Sequence, residues 1–252
     1  MYEIQKFYVG KLLVSATHLD EVVPYIEALA QSGESHLVAA PCFRNVMVAE
    51  KDPHYAEFMN MATVAVPDGM PLVWFGKLNG FKRIRQTPGP QVFRCLLEHS
   101  ESGVKHFLLG DTEETLCRIK ERFPDALIVG TLSPPFCGID EFDYAAYAKA
   151  INESGAHIVW LSLTAPKQDY FAERLMPLIP GKVVVGVGAA FRYVLGGFKE
   201  PSPVIRKMGL TGLVWRKWNW GLVKVYIRAY CYFVGLLVKH LFSNNISFKN
   251  NI

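Results

Sequence analysis

Short, mainly apolar runs recur between residues 7 and 187, and in the stretches between them apolar positions return every three or four residues. The runs FYVGKLLV (7–14), HLVAA (36–40), ATVAV (62–66), KHFLLG (105–110), ALIVG (126–130), HIVWLS (157–162) and KVVVGV (182–187) read as strands. Helical spacing predicts helices over 18–32, 53–60, 69–79, 89–101, 112–123, 140–153, 166–176 and 189–196. Boundary signals fit: Asp111-Thr112 can cap the helix after 105–110, Asp140 can cap the helix over 140–153, and Gly155 follows its end. A strand that is apolar throughout is covered on both faces. The alternation therefore predicts an α/β fold, a doubly wound and mostly parallel sheet with helices on both faces. No internal repeat or low-complexity linker breaks the pattern.

The composition suits a globular chain of 252 residues, half hydrophobic and one-fifth charged. Its net charge of +4 is unevenly placed. Residues 201–252 hold eight basic side chains and no acidic one, leaving 19 basic against 23 acidic over 1–200. Three of the five tryptophans also lie in this tail, which divides the chain into a body (1–200) and a basic, aromatic appendage (201–252). Projected as a helix, 215–237 lines up Trp215, Trp218, Leu222, Tyr226, Phe233 and Leu237 on one stripe, with Lys217, Lys224 and Arg228 opposite. A helix lying in a membrane interface has this form, with Trp215, Trp218, Lys217, Lys224 and Arg228 as contacts. So has a helix packed on the sheet with a solvated basic face. The longest uncharged stretch, 229–238, is too short to span a bilayer. No nucleic-acid-reading module accompanies the cations, so no nucleic-acid partner is expected. Cys42, Cys95, Cys117, Cys137 and Cys231 show no CxxC spacing, and MYEIQKFYVG lacks the regions of a signal peptide. The expectation is a protein with free thiols in a reducing cytoplasm and no zinc site.

In doubly wound sheets ligands bind beyond the carboxyl ends of the strands, which directs attention to the turns. In LTAPKQDYF, Pro166 suits a first helical turn. Lys167 and Gln168 then stand beside the free amides of a helix start, where anions bind. A lysine there opposes the helix dipole unless an external anion sits between them; the alternative is a solvated surface lysine. Asp68 in VPDGMP is either an N-cap or a general base. GVGAAF (186–191) would let a phosphate or ribose approach the backbone, but it is only a fragment of a dinucleotide fingerprint, and such fragments are more often tight turns. The sequence has no P-loop, GxSxG, HExxH or metal-binding DxD pair.

Taken in order, VPDGMPLVW, HFLLGDTEE, IVGTLSPPF, VWLSLTAPKQD and VGVGAAF resemble the WecG/TagA/CpsF family, glycosyltransferase family 26, over about 36–230. The resemblance implies an inverting, metal-independent bacterial enzyme without cofactor. Such an enzyme transfers a sugar from a UDP-sugar to a polyprenyl-diphosphate-linked acceptor in envelope or exopolysaccharide synthesis. By position it makes Asp68 the catalytic base, with Gly69, Pro166, Lys167 and Gln168 at the donor, Pro135 and Phe136 bordering the nucleoside, and Gly188 beside it. It further implies a peripheral location on the inner face of the plasma membrane, and leaves room for a homo-oligomer. The chain departs from the family pattern at Cys42, where asparagine is usual and Asn45 lies nearby, and at Gln86, with Arg83 and Arg85 as substitutes for an expected arginine. Arg192 replaces an acidic residue and could meet a donor carboxylate; Pro201-Ser202-Pro203 and Thr211-Gly212 also differ. A second reading follows from these departures: a catalytically inactive, membrane-associated family member acting as a binding or partner subunit. A nucleotide-dependent oxidoreductase would rest on GVGAAF alone.

Overall fold

A computed structural model describes residues 3–99, 103–198 and 202–209, together with 224, 227, 228 and 230–239. The first apolar run is a hairpin, β1 (Lys6–Val9) and β2 (Leu12–Ser15), paired antiparallel outside the main sheet. It turns at Gly10, whose φ of 60° suits a residue without Cβ. The run 7–14 reads as one strand because alternation continues through the turn; backbone geometry divides it. Then follow α1 (Leu19–Gln31), β3 (His36–Ala39), α2 (Phe43–Lys51), α3 (Pro53–Asn60), β4 (Val64–Ala65), α4 (Met70–Leu78) and α5 (Gly89–Glu98). The chain continues with β5 (His106–Gly110), α6 (Glu113–Arg122), β6 (Ile128–Leu132), α7 (Tyr144–Ser154), β7 (Ile158–Ser162) and α8 (Lys167–Leu175). It goes on through β8 (Val183–Gly186), α9 (Ala190–Val194) and α10 (Pro203–Lys207).

Six strands form one parallel sheet in the order β4-β3-β8-β7-β5-β6. Successive side chains of a strand point to opposite faces, and here they divide between two separate cores. Leu37, Ala39, Phe107, Leu109, Val159, Leu161 and Val184 join residues of α2, α3, α4, α7 and α8 on one face. Val38, Leu108, Ile158, Trp160, Val183 and Val185 join residues of α1, α5, α6 and α9 on the other. Burying each Val, Leu, Ile or Phe side chain among them is worth about 1.5–3 kcal/mol, and both faces contribute. The doubly wound α/β architecture expected from the sequence is the one observed.

Two local boundaries differ from expectation. The segment Phe43–Lys51 is helical, although helical spacing predicts no helix between 32 and 53. Cys42 and Asn45 form a reciprocal cap there, in place of the usual serine or aspartate. The helix expected from 140 starts at Tyr144, because the Asp143 carboxylate accepts from the Ala146 N–H at 2.9 Å. Asp140 instead pairs with Arg174 at 2.6 Å. As the Asp111-Thr112 pair suggests, α6 is capped there, by Thr112, which accepts from the Thr115 N–H.

Residues 230–239 are helical and lie against the body. Phe233, 4% exposed, meets Phe43 edge-on at 5.2 Å and approaches Trp74 and Phe75 at 5.6 and 5.5 Å. Leu237 of the same stripe also packs on this core. For these residues the packed reading of the stripe holds. Lys224 and Arg228 are exposed, whereas Trp215, Lys217 and Trp218 lie outside the described residues.

Candidate active site

Because every strand of the main sheet runs the same way, all the strand-to-helix turns open on one rim. At β5 and β7, neighbours in the sheet, the chain leaves in opposite directions, to β6 and to β8. That is a topological switch point, where such sheets bind ligands. Asp68 follows β4 and Lys167 begins α8 just after β7, so both stand on this rim. Three strand spacings, roughly 14 Å, separate β4 from β7.

Asp68 does not cap its own helix. The N-cap of α4 is Gly69, with no side-chain hydrogen bond. The Asp68 backbone is pinned from three sides: its N–H donates to the Pro41 carbonyl (3.3 Å), its carbonyl accepts from Gln86 Nε2 (2.8 Å), and the Thr87 N–H donates to Pro67 next to it (2.9 Å). The carboxyl is thereby aimed at the first turn of α5 and accepts the Gly89 N–H. Burial pushes its pKa up to about 7, against the smaller lowering from that N–H. Gly89 is also a junction. A Cβ there would lie 3.3 Å from Ala40 Cβ and 3.4 Å from Val187 Cα. The turns after β3, β4 and β8 therefore converge beside Asp68. Cys42 shares this corner, and burial together with the Asp68 charge raises its thiol pKa.

At the β7 end, Lys167 is half-buried. Its ammonium donates to the Cys137 carbonyl and lies 4.6 Å from the Phe142 ring centre and 5.4 Å from that of Phe136. Pro135 and Phe136 are exposed, Phe136 fully, so the loop after β6 presents an aromatic ring beside the lysine. Pro166 follows a cis peptide bond and is the N-cap of α8. Gln168 is 4% exposed. Its Oε1 accepts from the Gly188 N–H (2.8 Å) and the Leu163 N–H (3.3 Å), so it braces the turns after β7 and β8. Gly188 has φ of 57°, and its carbonyl accepts from the Ser162 hydroxyl at 2.6 Å.

Other residues singled out from the sequence are placed differently. Asn45 is 5% exposed and its amide is engaged inside the fold, with Tyr55 and Asp169, instead of facing the rim. Arg85 is exposed, with its guanidinium on the Lys82 and Ile84 carbonyls. Arg83 lines a surface hollow of about 310 Å³ with Glu3, Gln5, Glu21 and Phe81, none of them from the strand-to-helix turns of the main sheet. Arg192 forms a two-pronged ion pair with Asp111, at 2.7 and 3.1 Å. Asp111 itself holds a φ of 57°, unusual for a non-glycine residue.

The sequence offers Asp111 only as a helix cap, and Tyr55 and Asp169 are not singled out there. For Asp169 a signal existed: it lies on the inward side of α8 with Phe171, Ala172 and Leu175, where an acidic residue needs a partner.

Comparison with known proteins adds three observations. The profile of the glycosyl transferase WecG/TagA/CpsF family matches residues 7–246. An N-acetylglucosaminyldiphosphoundecaprenol N-acetyl-beta-D-mannosaminyltransferase of Bacillus spizizenii is 30% identical over 164 residues, 63% of this chain and 62% of its own length. A protein of Bacillus subtilis with the same name is 24% identical over 180 residues, 68% of each chain. The chain thus spans about 62% of the length of the first of these relatives.

Proposed function

Because the chain belongs to the WecG/TagA/CpsF family of glycosyl transferases, we propose that it moves a sugar from a UDP-sugar to a polyprenyl-diphosphate-linked acceptor, with inversion and without a metal. The observation that carries this reading is the shared rim: a half-buried carboxyl at one end and a lysine at a helix start at the other. Asp68 takes the proton of the acceptor hydroxyl as its oxygen bonds to the anomeric carbon. The bond from that carbon to the diphosphate breaks, and UDP leaves with the electron pair. Lys167 and the first amides of α8 face the charge that develops on the departing diphosphate. A base with a pKa near the working pH is the efficient one, and Asp68, at about 7, meets that requirement.

The relatives' names give an acceptor built on undecaprenyl diphosphate and a transferred N-acetylmannosaminyl group; the same acceptor class is proposed here. Arg192 is already paired with Asp111, which favours an uncharged N-acetylhexosamine over a uronic acid as the donor sugar. Exposed Lys224, Arg228 and Lys239 suit work at an anionic membrane surface. No helix among the described residues is long and apolar enough to cross a membrane.

The test is a panel of UDP-sugars with polyprenyl-diphosphate-linked N-acetylglucosamine, run in chelator, with the product anomer read by NMR. Asp68→Asn should lower transfer about 10²–10⁴-fold while UDP binding by calorimetry persists. Full turnover by that variant would remove Asp68 from the mechanism. A wild-type chain that binds neither UDP nor any UDP-sugar would favour the non-catalytic partner-subunit reading.

A further inference from the structure

Beneath the rim, α3 and α8 are joined by two tyrosine–aspartate pairs that cross. Tyr55 of α3 donates its hydroxyl to Asp169 Oδ2 of α8 at 2.7 Å, and Tyr170 of α8 donates to Asp52 Oδ2, at the cap of α3, at 2.5 Å. The two rings meet edge-on, 5.5 Å apart. Asn45 of α2 ties into the crossing: its Nδ2 donates to the Tyr55 hydroxyl (2.6 Å) and to Asp169 Oδ2 (3.3 Å), while its Oδ1 accepts from the Cys42 N–H at 3.0 Å. Tyr55, Asn45 and Asp169 are 0, 5 and 7% exposed. An unbroken set of hydrogen bonds therefore runs from the first turn of α8, which carries Lys167, to Cys42 in the corner that holds Asp68.

Burying a carboxylate with two partner side chains costs desolvation that a hydrophobic replacement would avoid. What the arrangement supplies is a fixed distance between two elements that are far apart in sequence. Transfer between a bound donor and a bound acceptor depends on that kind of distance; a misplacement of about 1 Å can cost 10²-fold in rate.

We propose that Asp169, Tyr55, Tyr170, Asp52 and Asn45 form a positioning clamp that sets the Lys167 side of the rim against the Asp68 side, and so aligns donor with acceptor. None of them need touch either substrate. The inference rests on the transferase reading above and deepens it.

The clamp predicts a particular failure. Each substrate should still bind when the clamp is loosened, but the pair should meet badly, so that water competes for the activated sugar. The experiment uses the full-length chain carrying Tyr55→Phe or Tyr170→Phe. Each variant removes one oxygen and leaves the ring packing in place. Three quantities are read: UDP affinity and stoichiometry by calorimetry, turnover per binding-competent site, and the ratio of sugar transferred to acceptor over sugar released to water. The ratio does not depend on how much protein is folded, so a merely structural role would not move it.

The expected result is UDP affinity within about twofold of wild type, turnover per site down by about 10–100-fold, and a fall in the transfer-to-hydrolysis ratio. Asp169→Asn, which can still accept from Tyr55, should retain more transfer than Asp169→Ala. Wild-type ratio and per-site turnover in either tyrosine variant would overturn the clamp while leaving the transferase reading intact. Should the wild-type chain itself turn over no UDP-sugar, the functional reading falls and takes the clamp with it. If Tyr55→Phe does not fold, Tyr170→Phe, whose ring is only half-buried, decides the matter alone.

Discussion

At the scale of single residues, the decisive group is Asp68. Its carboxyl is raised to about 7 because burial penalises the charged form more than one backbone N–H favours it. A base works only when deprotonated. The rate of transfer should therefore climb about tenfold per pH unit below pH 7 and level off above it, whereas UDP binding should not follow that curve. A profile of kcat/KM that is flat between pH 5 and 8 would contradict this. The sequence makes Lys167 conspicuous because a basic residue opposes the dipole of a helix start, whereas Asp68 reads as an N-cap as readily as a base. It does not reveal what Gln168 and Asn45 do. Both are polar residues in turn-like contexts, and both prove to be buried braces, because their partners at Gly188, Tyr55 and Asp169 come from distant parts of the chain. Arg192 is a similar case, since Asp111 lies 81 positions away.

At the scale of elements, periodicity carries nearly the whole strand inventory, since a strand buried on both faces cannot hide its apolar run. It fails at α2. That helix starts after Pro41 with a cysteine cap and no acidic residue in its first turn, so its boundary does not resemble a helix signal. The omission matters, because α2 carries Phe43, on which the C-terminal helix rests. Phe233 is the anchor of that contact. Phe233→Ala should cost about 3–5 kcal/mol. Most of the loss should fall on the docking of residues 230–239 and little on the sheet. Hydrogen exchange would register it as faster exchange of that helix, with β3, β7 and β8 unchanged. Uniform acceleration across the sheet would instead mark Phe233 as a residue of the global core.

At the scale of the whole molecule, two carboxyls, half-buried Asp68 and buried Asp169, bear on stability. Asp68 at about 7 and Asp169 at about 6 lie above the usual value of about 3.9, burial being the main cause in each. The native state thus holds protons that the unfolded chain has released. The stabilisation is complete below pH 4 and is lost as pH rises through 6 and 7. In urea titrations, Asp68→Asn should show a smaller decline in stability between pH 5 and 8 than the wild type does. An identical decline would place the Asp68 pKa near its ordinary value. The same burial on both faces has a further consequence, for strand alignment. In a sheet with one wet side, a strand displaced by one position would turn its apolar residues to water and be rejected. In the inner strands β3, β8, β7 and β5 either side is oily, so polarity cannot proofread their pairing. Volume does so instead: Gly130 faces Phe107, whose ring would come within 2.4 Å of any Cβ there, and Gly186 leaves a gap of the same kind for the Gln168 amide, at 2.5 Å. Alignment is thus enforced by vacancies cut to fit particular neighbours, and filling one of them would shift a strand before it exposed any grease.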